Sequence, residues 1–296
     1  MGNAQRIPVE RHPHDNLHRA AGAGDAETIR SILNSLSPSF NDILNSRDDY
    51  GDTPLHAAVF NGHEKCAYEL LMKGADSNAE GNRQYSPLHL ACLYGKKNCV
   101  KLLLDFLSPS QLEKTGENGQ TPLHLAALRN RKDIIELLLQ KGANPNAGDF
   151  VGRSPLHYCI LSSISDSLSL PAPFTFSSVS LLLHSGAVCE IVDSEGQSPL
   201  SIACEFASIS LMELILQRVD LDSPIYQDLL HNAVKGRRGE VVKCLLEWGF
   251  GEREIRREGR DETILQLATH LGDDEIVNVI INHQFPVKGA SEKDEN

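Results

Sequence analysis

Residues Gly119–Asn146 read GQTPLHLAALRNRKDIIELLLQKGANPN and carry the local signals of two short helices joined by a turn. Thr121 can act as the N-cap of the first helix, with its hydroxyl accepting a hydrogen bond from the backbone. Pro122 suits the first helical position because proline has no N–H that would be left unpaired there. Gly142 supplies a left-handed residue that can end the second helix. The stretch therefore predicts a helix–turn–helix unit.

The apolar residues of this unit cannot be buried within the unit itself. Leu123, Ala126 and Ala127 share one face of the first helix, where the alanines allow a neighbouring helix to approach closely. The second helix carries five large apolar residues, namely Ile134, Ile135, Leu137, Leu138 and Leu139. We therefore expect the unit to pack between neighbours of the same shape.

The run TPLHLAA, followed by a turn, an apolar helix and KGANPN, resembles the ankyrin repeat, whose period is about 33 residues with the signature T-P-L-H-x-A. Clear copies stand at 53–58, 86–91, 121–126 and 154–157, and weaker copies at 16–21, 198–203, 229–233 and 263–268. The signature leucines are Leu17, Leu55, Leu88, Leu123, Leu156, Leu200, Leu230 and Leu265, with successive spacings of 38, 33, 35, 33, 44, 30 and 35 residues. The resemblance covers nearly the whole chain and identifies about eight repeats.

This resemblance implies an all-α fold, an ankyrin-repeat solenoid of helix–turn–helix units with β-hairpin or loop fingers. We expect residues 1–14 to be a flexible lead-in, residues 15–285 to form the array, and residues 286–296 to be an acidic, disordered tail. The spacing of 44 in repeat five predicts an exposed Ser/Pro-rich insertion near residues 162–177. Two interpretations stay open for it: a docking or phosphorylated loop, or a tolerated insertion.

Charge and composition exclude several kinds of partner. The chain has 28 basic and 40 acidic residues, a net charge of -12, which disfavours general binding to nucleic acid or to an anionic membrane. No run approaches the roughly 18 apolar residues of a membrane span, and the N-terminus has no apolar secretion signal. Gly2 could accept an acyl chain, but Arg6 stands where the myristoylation motif requires Ser or Thr. We expect a cytoplasmic protein that can also be nuclear.

Neither the cysteines nor the histidines predict a metal site or a catalytic centre. The seven cysteines include no CxxC pair and are expected to be buried thiols in a reducing compartment. The histidines that follow the signature leucines are His18, His56, His89, His124, His157 and His231. Stacked helices lie about 8–10 Å apart, too far for two such rings to share a metal with ligands at about 2 Å. In the ankyrin family this histidine links turns by hydrogen bonds. No HExxH or GxxxxGK[ST] motif occurs. We expect no enzyme and no cofactor.

With no enzyme expected, we expect a partner-binding surface, and the resemblance to ankyrin repeats indicates which residues form it. In ankyrin repeats the residues before each TPLH form finger tips, and those two turns later face a concave groove. In repeats two to five the matching residues are Asp49, Tyr50, Asp52, Phe60, Asn61, Asn82, Arg83, Tyr85, Leu93, Tyr94, Glu117, Asn118, Gln120, Leu128, Arg129, Phe150, Val151, Arg153 and Leu161. Aromatic residues and arginine dominate interface hot spots. Tyr50, Phe60, Tyr85, Tyr94 and Phe150 therefore either bind a partner or pack locally between fingers.

A second patch of basic residues lies in repeats seven and eight. It consists of Lys235, Arg237, Arg238, Arg253, Arg256, Arg257 and Arg260, interleaved with Glu240, Glu252, Glu254 and Glu258. Two interpretations stay open: a solvated surface of mixed charge, or a site for an acidic partner segment.

These observations favour a non-enzymatic scaffold or adaptor that binds a protein or peptide through its concave face and is monomeric on its own. Three alternatives remain. An inhibitor of Rel-type transcription factors would fit the repeats, although no DSGxxS motif is present. A ubiquitin-ligase subunit would need room for a suppressor-of-cytokine-signalling box, which the repeats do not leave. The array could also be the regulatory part of a larger enzyme or channel, against which the initial Met and the polar tail argue.

Overall fold

The computed structural model describes residues 13–35, 41–165, 173–206, 208–221, 223–226, 228–250 and 263–284. The chain divides into two compact units, one of residues 1–162 with 171–187 and the other of residues 163–170 with 188–296. All regular secondary structure in the described ranges is helical, as the sequence predicts.

The first unit is a succession of short helices. These are α1 (Pro13–Ala23), α2 (Ala26–Ser35), α3 (Asn41–Leu44), α4 (Pro54–Asn61), α5 (Glu64–Met72), α6 (Pro87–Leu93), α7 (Lys97–Phe106), α8 (Pro122–Leu128), α9 (Lys132–Gln140), α10 (Pro155–Ser165) and α11 (Pro173–His184). Single 3-10 turns stand at Asn82–Gln84 and Pro109–Glu113. The helices with the TPLH signature pack on one another, α4 against α6 and α6 against α8.

The starting signals of α8 and the end of α9 follow the sequence prediction. Thr121 is the N-cap of α8 and Pro122 its first residue, and the Thr121 N–H donates to Nδ1 of His124 at 3.1 Å. Asn130, in the turn after α8, has a positive φ of 49°, and Gly142 follows α9 with a φ of 91°. Both turns are therefore left-handed where the sequence places an asparagine and a glycine.

The core is made by the face that the repeat pattern predicts. Leu123, Ala126 and Ala127 of α8 are buried, as are Ile134, Ile135 and Leu138 of α9. The signature leucines Leu55, Leu88, Leu123 and Leu156 are all buried. Each buried leucine stabilises the fold by about 1.5–3 kcal/mol relative to an exposed one. In the first unit, the apolar core therefore lies at the contacts between successive repeats.

The histidines of the signature link each repeat to the next one. His56 Nε2 lies 3.0 Å from the Tyr85 carbonyl oxygen, His89 Nε2 lies 3.1 Å from that of Gln120, and His124 Nε2 lies 2.9 Å from that of Arg153. Because Nδ1 of each ring accepts a backbone N–H, the ring proton sits on Nε2 and is donated across the repeat boundary. This geometry confirms the linking role that the resemblance implies.

The fingers are loops, and no strand occurs in the described ranges, so the β-hairpin form of the expectation is not observed. The finger of repeat five is typical: the Asp149 N–H donates to the Arg153 carbonyl at 3.0 Å, and the Gly152 N–H donates to the Asp149 carbonyl at 3.0 Å. A tight turn of this kind satisfies its backbone locally, so it needs no ladder to a second strand.

The second unit contains further helix pairs. Its helices are α12 (Pro199–Phe206), α13 (Ile209–Leu216), α14 (Leu229–Lys235), α15 (Gly239–Glu247), α16 (Ile264–His270) and α17 (Asp274–Gln284), with a 3-10 turn at Pro224–Tyr226. Leu200 and Leu230 are buried, and the hydroxyl of the buried Tyr226 donates to the Cys189 carbonyl at 3.0 Å. In α16 the N-cap Thr263 is paired with Gln266 in place of the usual histidine.

Some predicted segments fall partly or wholly outside the described residues. Helix α1 already begins at Pro13, and the earlier part of the predicted lead-in is not described. Helices α10 and α11 occupy both ends of the predicted insertion, whose residues 166–172 are not described. The predicted tail lies outside the described residues, as do Arg253, Arg256, Arg257 and Arg260 of the basic patch.

All seven cysteines are unpaired and buried, which confirms the prediction of buried thiols. Burial raises the pKa of the Cys99 thiol to about 11, so this thiol stays protonated at neutral pH and is a poor nucleophile. Across the part of the chain that the structure describes, no helix combines the length and apolarity needed to cross a bilayer.

Candidate functional site

The fingers of repeats two to five carry the predicted partner-binding residues at their tips. We call the exposed residues Asp49, Tyr50, Arg83, Glu117 and Phe150 the finger-tip row. The side chains of Tyr50 and Phe150 are each 74% exposed. Asn82, Asn118 and Val151, which flank them, are exposed as well. Two large aromatic rings therefore stand in solvent on loops whose backbones are held by their own hydrogen bonds.

The C-terminal ends of α4, α6 and α8 and the matching position of α10 carry a second line of predicted residues. Phe60, Leu93, Leu128 and Leu161 each stand seven residues after the N-cap residue of their helix, and we call them the groove row. Phe60 is 45% exposed, and the three leucines are half-buried. The next residue of each repeat is polar or aromatic: Asn61, Tyr94, Arg129 and Ser162. The row is apolar at the same register in four successive repeats.

Phe60 and Tyr94 form a preassembled aromatic pair within this surface. Their ring centroids are 4.6 Å apart and the ring planes are inclined by 69°, an edge-to-face arrangement. Tyr94 is 44% exposed, so both rings keep about half of their surface in water. Such a pair supplies a large, rigid apolar contact that loses little side-chain entropy on binding.

Tyr85 is placed differently from the other predicted aromatic residues. Only 7% of Tyr85 is exposed, because its ring stacks on His89 with centroids 5.4 Å apart. The ring also covers Gly116 of the next finger, where an added Cβ would collide with Tyr85 Cε1. Its hydroxyl donates to Oε1 of Gln120 at 2.9 Å. Tyr85 therefore packs between fingers, which is the second of the two interpretations that its sequence position left open.

Gln120 extends this contact into a chain of hydrogen bonds across three repeats. Its Nε2 donates to the Tyr158 hydroxyl at 2.9 Å, and that hydroxyl donates to Oδ2 of Asp149 at 2.7 Å. We call Tyr85, Gln120, Tyr158 and Asp149 the finger network. Gln120 is thus engaged on both sides of its amide. Sequence reasoning missed Tyr158 and Asp149; the available signal was a tyrosine in α10 at the register where α6 and α8 carry Leu90 and Leu125.

Tyr85→Phe is expected to lower the free energy of unfolding by about 1 kcal/mol, because it removes one buried hydrogen bond and leaves Gln120 Oε1 without its donor. Urea unfolding of the full chain measures this change. Tyr50→Phe is the matched control, since the Tyr50 ring is largely exposed and its substitution should leave stability unchanged. Equal effects of the two substitutions would contradict a structural role for the Tyr85 hydroxyl.

Asp52 and Arg153 act mainly through backbone positioning. Oδ1 of Asp52 accepts the Asn82 N–H of the next finger at 2.8 Å, and the Asp52 carbonyl lies 3.0 Å from Nε2 of His18. The Arg153 N–H donates to Oδ1 of Asp149 at 2.8 Å, while its carbonyl accepts from His124. Both residues are half-buried. They contribute to the order of the fingers more than to the exposed surface.

The second unit contains an open cleft of about 590 Å³ between α12 and α14. Ser201, which stands where other repeats have the signature histidine, lines the cleft, and its Oγ lies 2.9 Å from Ser198 Oγ. Lys235 and Arg238 of the predicted basic patch line it together with Glu205. The Arg238 guanidinium donates to the Cys204 carbonyl at 2.7 Å. The described part of the patch therefore mixes both charges.

The candidate site is an exposed surface of loops and helix ends. Within the described ranges, no group of three or more His, Cys, Asp or Glu residues could hold a metal ion. Burial is the main cause that lowers the pKa of His56 and His124, and it lowers that of His89 to about 4. These rings are neutral at pH 7 and occupied by backbone hydrogen bonds, which leaves them unavailable for proton transfer.

Comparison with known proteins agrees with this architecture. The family described as ankyrin repeats matches residues 17–111, 70–149 and 88–170, which together span residues 17–170 and more than half of the chain. The chain belongs to the ankyrin-repeat family. Ankyrin repeats generally mediate protein–protein interactions, and the fold is typically a non-catalytic interaction module.

Individual relatives are similar over different lengths. The human transient receptor potential cation channel subfamily A member 1 is 26% identical over 90% of this chain, which spans 26% of the channel. Mouse ankyrin repeat domain-containing protein 13C is 30% identical over 34% of this chain, and the match covers 18% of that protein. A solved ankyrin repeat domain from Acinetobacter baumannii is 28% identical, with a TM-score of 0.60, and the match covers 68% of this chain and 96% of that one. The chain thus spans about a quarter or less of these two curated relatives.

Proposed function

We propose that this protein is a non-catalytic adaptor that binds a protein or peptide partner through the finger-tip row and the groove row of repeats two to five. The exposure of Tyr50 and Phe150 carries the proposal, since each ring is 74% exposed and neither is needed for the core. Exposed aromatic residues on a rigid scaffold are typical of interface hot spots. The protein acts as a monomer in the cytoplasm or nucleus, a location that its unpaired cysteines support.

The finger network and the histidine links support this proposal by ordering the surface before a partner arrives. The fingers of repeats three and four are each bonded to the next finger by a backbone hydrogen bond, from Glu117 N–H to the Arg83 carbonyl and from Phe150 N–H to the Asn118 carbonyl. The finger of repeat two is joined to the next one through Asp52 Oδ1, which accepts the Asn82 N–H. A surface held in this way loses less conformational entropy on binding than a set of separate loops. A modest contact area can then give useful affinity.

A role as the regulatory array of a larger assembly is a second candidate. It is favoured by the similarity to the cation channel, which extends over 90% of this chain and so includes the repeats of both units. The two candidates share the same binding surface and differ in what the array is attached to. Size-exclusion chromatography of the native protein from cells separates them, since the adaptor elutes as a monomer when its partner is removed by salt.

The triple variant Tyr50→Ala, Tyr94→Ala and Phe150→Ala tests the proposed surface. We leave Tyr85 unchanged because its buried ring belongs to the finger network. Partners are captured from cell extract on immobilised protein and quantified by mass spectrometry. We expect the specific partner signal to fall at least tenfold in the triple variant, because each deleted ring removes about 1–2 kcal/mol of binding free energy.

A double variant of α5, Tyr68→Ala with Met72→Ala, is the matched control. Both residues are exposed, Tyr68 at 47% and Met72 at 58%, but they lie on a second helix away from the finger tips. The control should capture partners like the wild type. If the control loses the partners and the triple variant keeps them, the proposed surface is wrong.

A further inference from the structure

The groove row repeats an apolar residue at a fixed interval. Phe60, Leu93, Leu128 and Leu161 occupy one register on α4, α6, α8 and α10, and the row ends at Gly22, the matching position of α1. Packed helices lie about 8–10 Å apart, so neighbouring members of the row are separated by roughly that distance. Four apolar contacts at this interval define a track of roughly 30 Å.

Acidic residues border this track on the finger side. Asp49, Glu80 and Glu117 are exposed on three successive fingers or just before them, with the exposed Arg47 and Arg83 among them, and Glu80 pairs with Lys114 at 3.2 Å. Asp48 and Asp52 add two carboxylates that also hold backbone N–H groups of the fingers. We call this side the finger rim.

Basic residues border the track on the opposite side, where each signature helix turns into the next helix. Lys96, Arg129, Arg131 and Lys132 lie there, and we call them the turn rim. The side chain of Lys96 lies over Gly62 of the preceding turn, and that of Arg131 lies over Gly95 in the same way. The basic side chains thus follow one another along the track. Lys97 beside them pairs with Asp133 at 3.1 Å.

We propose that the partner inserts an amphipathic α-helix along the groove row, with its apolar residues at heptad spacing and an acidic flank against the turn rim. The inference rests on the proposed function, because it names the partner of the same surface. Seven residues of an α-helix rise about 10.5 Å, just above the interval of about 8–10 Å between members of the row. The opposite flank of the partner helix carries Lys or Arg against the finger rim.

Other extended ligands fit this track less well. A β-strand brings residues to one face every second position, at about 6.7 Å or 13 Å, and misses the interval. A polyproline helix repeats at about 9.3 Å, which lies within the interval, and what disfavours it is that its binding grooves are lined by aromatic rings. Here aromatic rings occur at the Phe60 end, while Leu93, Leu128 and Leu161 make the rest of the row. A row of roughly 30 Å accommodates about 20 residues of helix.

Selection from a phage-displayed library of natural protein segments, each 24 residues long, tests the inference on the full chain. We expect enriched segments with apolar residues at i, i+7 and i+14 and with Asp or Glu along one flank. Synthesised as peptides, they should gain helical circular dichroism on binding. Leu128→Arg, and separately Phe60→Ala, should weaken their binding by at least tenfold.

Charge-reversal variants of the turn rim are the second part of this test. The double variant Arg129→Glu with Arg131→Glu should bind the same peptides at least tenfold more weakly at low salt. The control Lys101→Glu, at an exposed position of α7, should bind them with unchanged affinity. Thermal unfolding by circular dichroism checks that each variant is folded.

Each outcome decides a separate point. Enriched segments that are proline-rich or lack heptad spacing, yet depend on Leu128 and Phe60, overturn the helix inference and leave the proposed function intact. If the enriched segments bind the groove variants and the triple variant of the finger tips as well as they bind the wild type, the proposed function is overturned as well. Failure to enrich any segment overturns the helix inference, because a linear helix should be present in such a library.

Discussion

Replacing Gly119 by alanine is expected to lower the free energy of unfolding by about 3 kcal/mol, the sum of two separate costs. Gly119 has a φ of 78°, where an L-residue with a Cβ is strained by about 1–2 kcal/mol. The added Cβ would also lie 2.6 Å from the backbone nitrogen of Phe150 and 2.5 Å from its Cδ1. The ring can rotate away, but the backbone of the next finger must move. Chemical denaturation of the full chain measures the loss.

Gly142→Ala is the matched control, because Gly142 has a φ of 91° in the same repeat and nothing within 4 Å of an added Cβ. It should show the conformational cost alone, about 1–2 kcal/mol. The difference between the two variants isolates the close approach of two fingers. If both variants lose the same stability, the contact between Gly119 and Phe150 contributes nothing, and the fingers are less tightly stacked than the geometry indicates.

The parts of the fold that sequence predicted are those whose cause is local. Thr121, Pro122 and Gly142 act within one helix turn of their own position, so their roles can be read without the neighbouring repeat. The buried face of α8 follows from helical periodicity combined with the recurrence of the same pattern in the flanking repeats. A repeat array suits such reasoning, because each unit contacts neighbours that resemble it.

The candidate site was less predictable, because its side chains depend on residues about one repeat away. Tyr85 stands at a variable finger position, and its burial requires Gly116 in the next finger, where a side chain would collide with the ring. The finger network likewise joins residues 35 and 38 positions apart. Single-repeat patterns do not contain these relations. The sequence left both partner binding and local packing open for Tyr50, Phe150 and Tyr85 alike, and the structure separates the two exposed rings from the buried one.

The groove row illustrates a further limit of prediction from the sequence. Its register can be derived from the signature, because Phe60, Leu93, Leu128 and Leu161 each follow a capping residue by seven positions. The course of the turn rim cannot be derived from the signature. It arises because side chains of one turn lie over the turn before it, as Arg131 lies over Gly95. Charge along the chain is mixed, and the alignment of Lys96 and Arg131 over the preceding turns appears only after folding.

Acidification is expected to destabilise the array between pH 6.5 and about 4, well before general acid unfolding. Burial lowers the pKa of His89 in the folded state to about 4, against an ordinary value of 6.5. Between these values the unfolded chain binds a proton that folded His89 does not, so stability is full above pH 6.5 and falls as the pH approaches 4. One histidine with this shift costs on the order of 3 kcal/mol at the lower end. Urea unfolding at pH 7.5, 5.5 and 4.5 measures the loss.

The local geometry explains the direction of this effect and supplies its control. Nδ1 of His89 accepts the Ser86 N–H at 3.1 Å and lies 2.8 Å from Ser86 Oγ, so a proton on Nδ1 would break the bond from the backbone and leave the hydroxyl as its acceptor. In α16 an uncharged residue makes the equivalent hydrogen bond, since Oε1 of Gln266 accepts the Thr263 N–H at 2.8 Å. His89→Gln should therefore keep the cap and lose the pH sensitivity. His56 and His124, whose pKa values burial also lowers, extend the test to a triple glutamine variant. If that variant loses as much stability as the wild type between pH 7.5 and 4.5, protonation of these rings is not the cause.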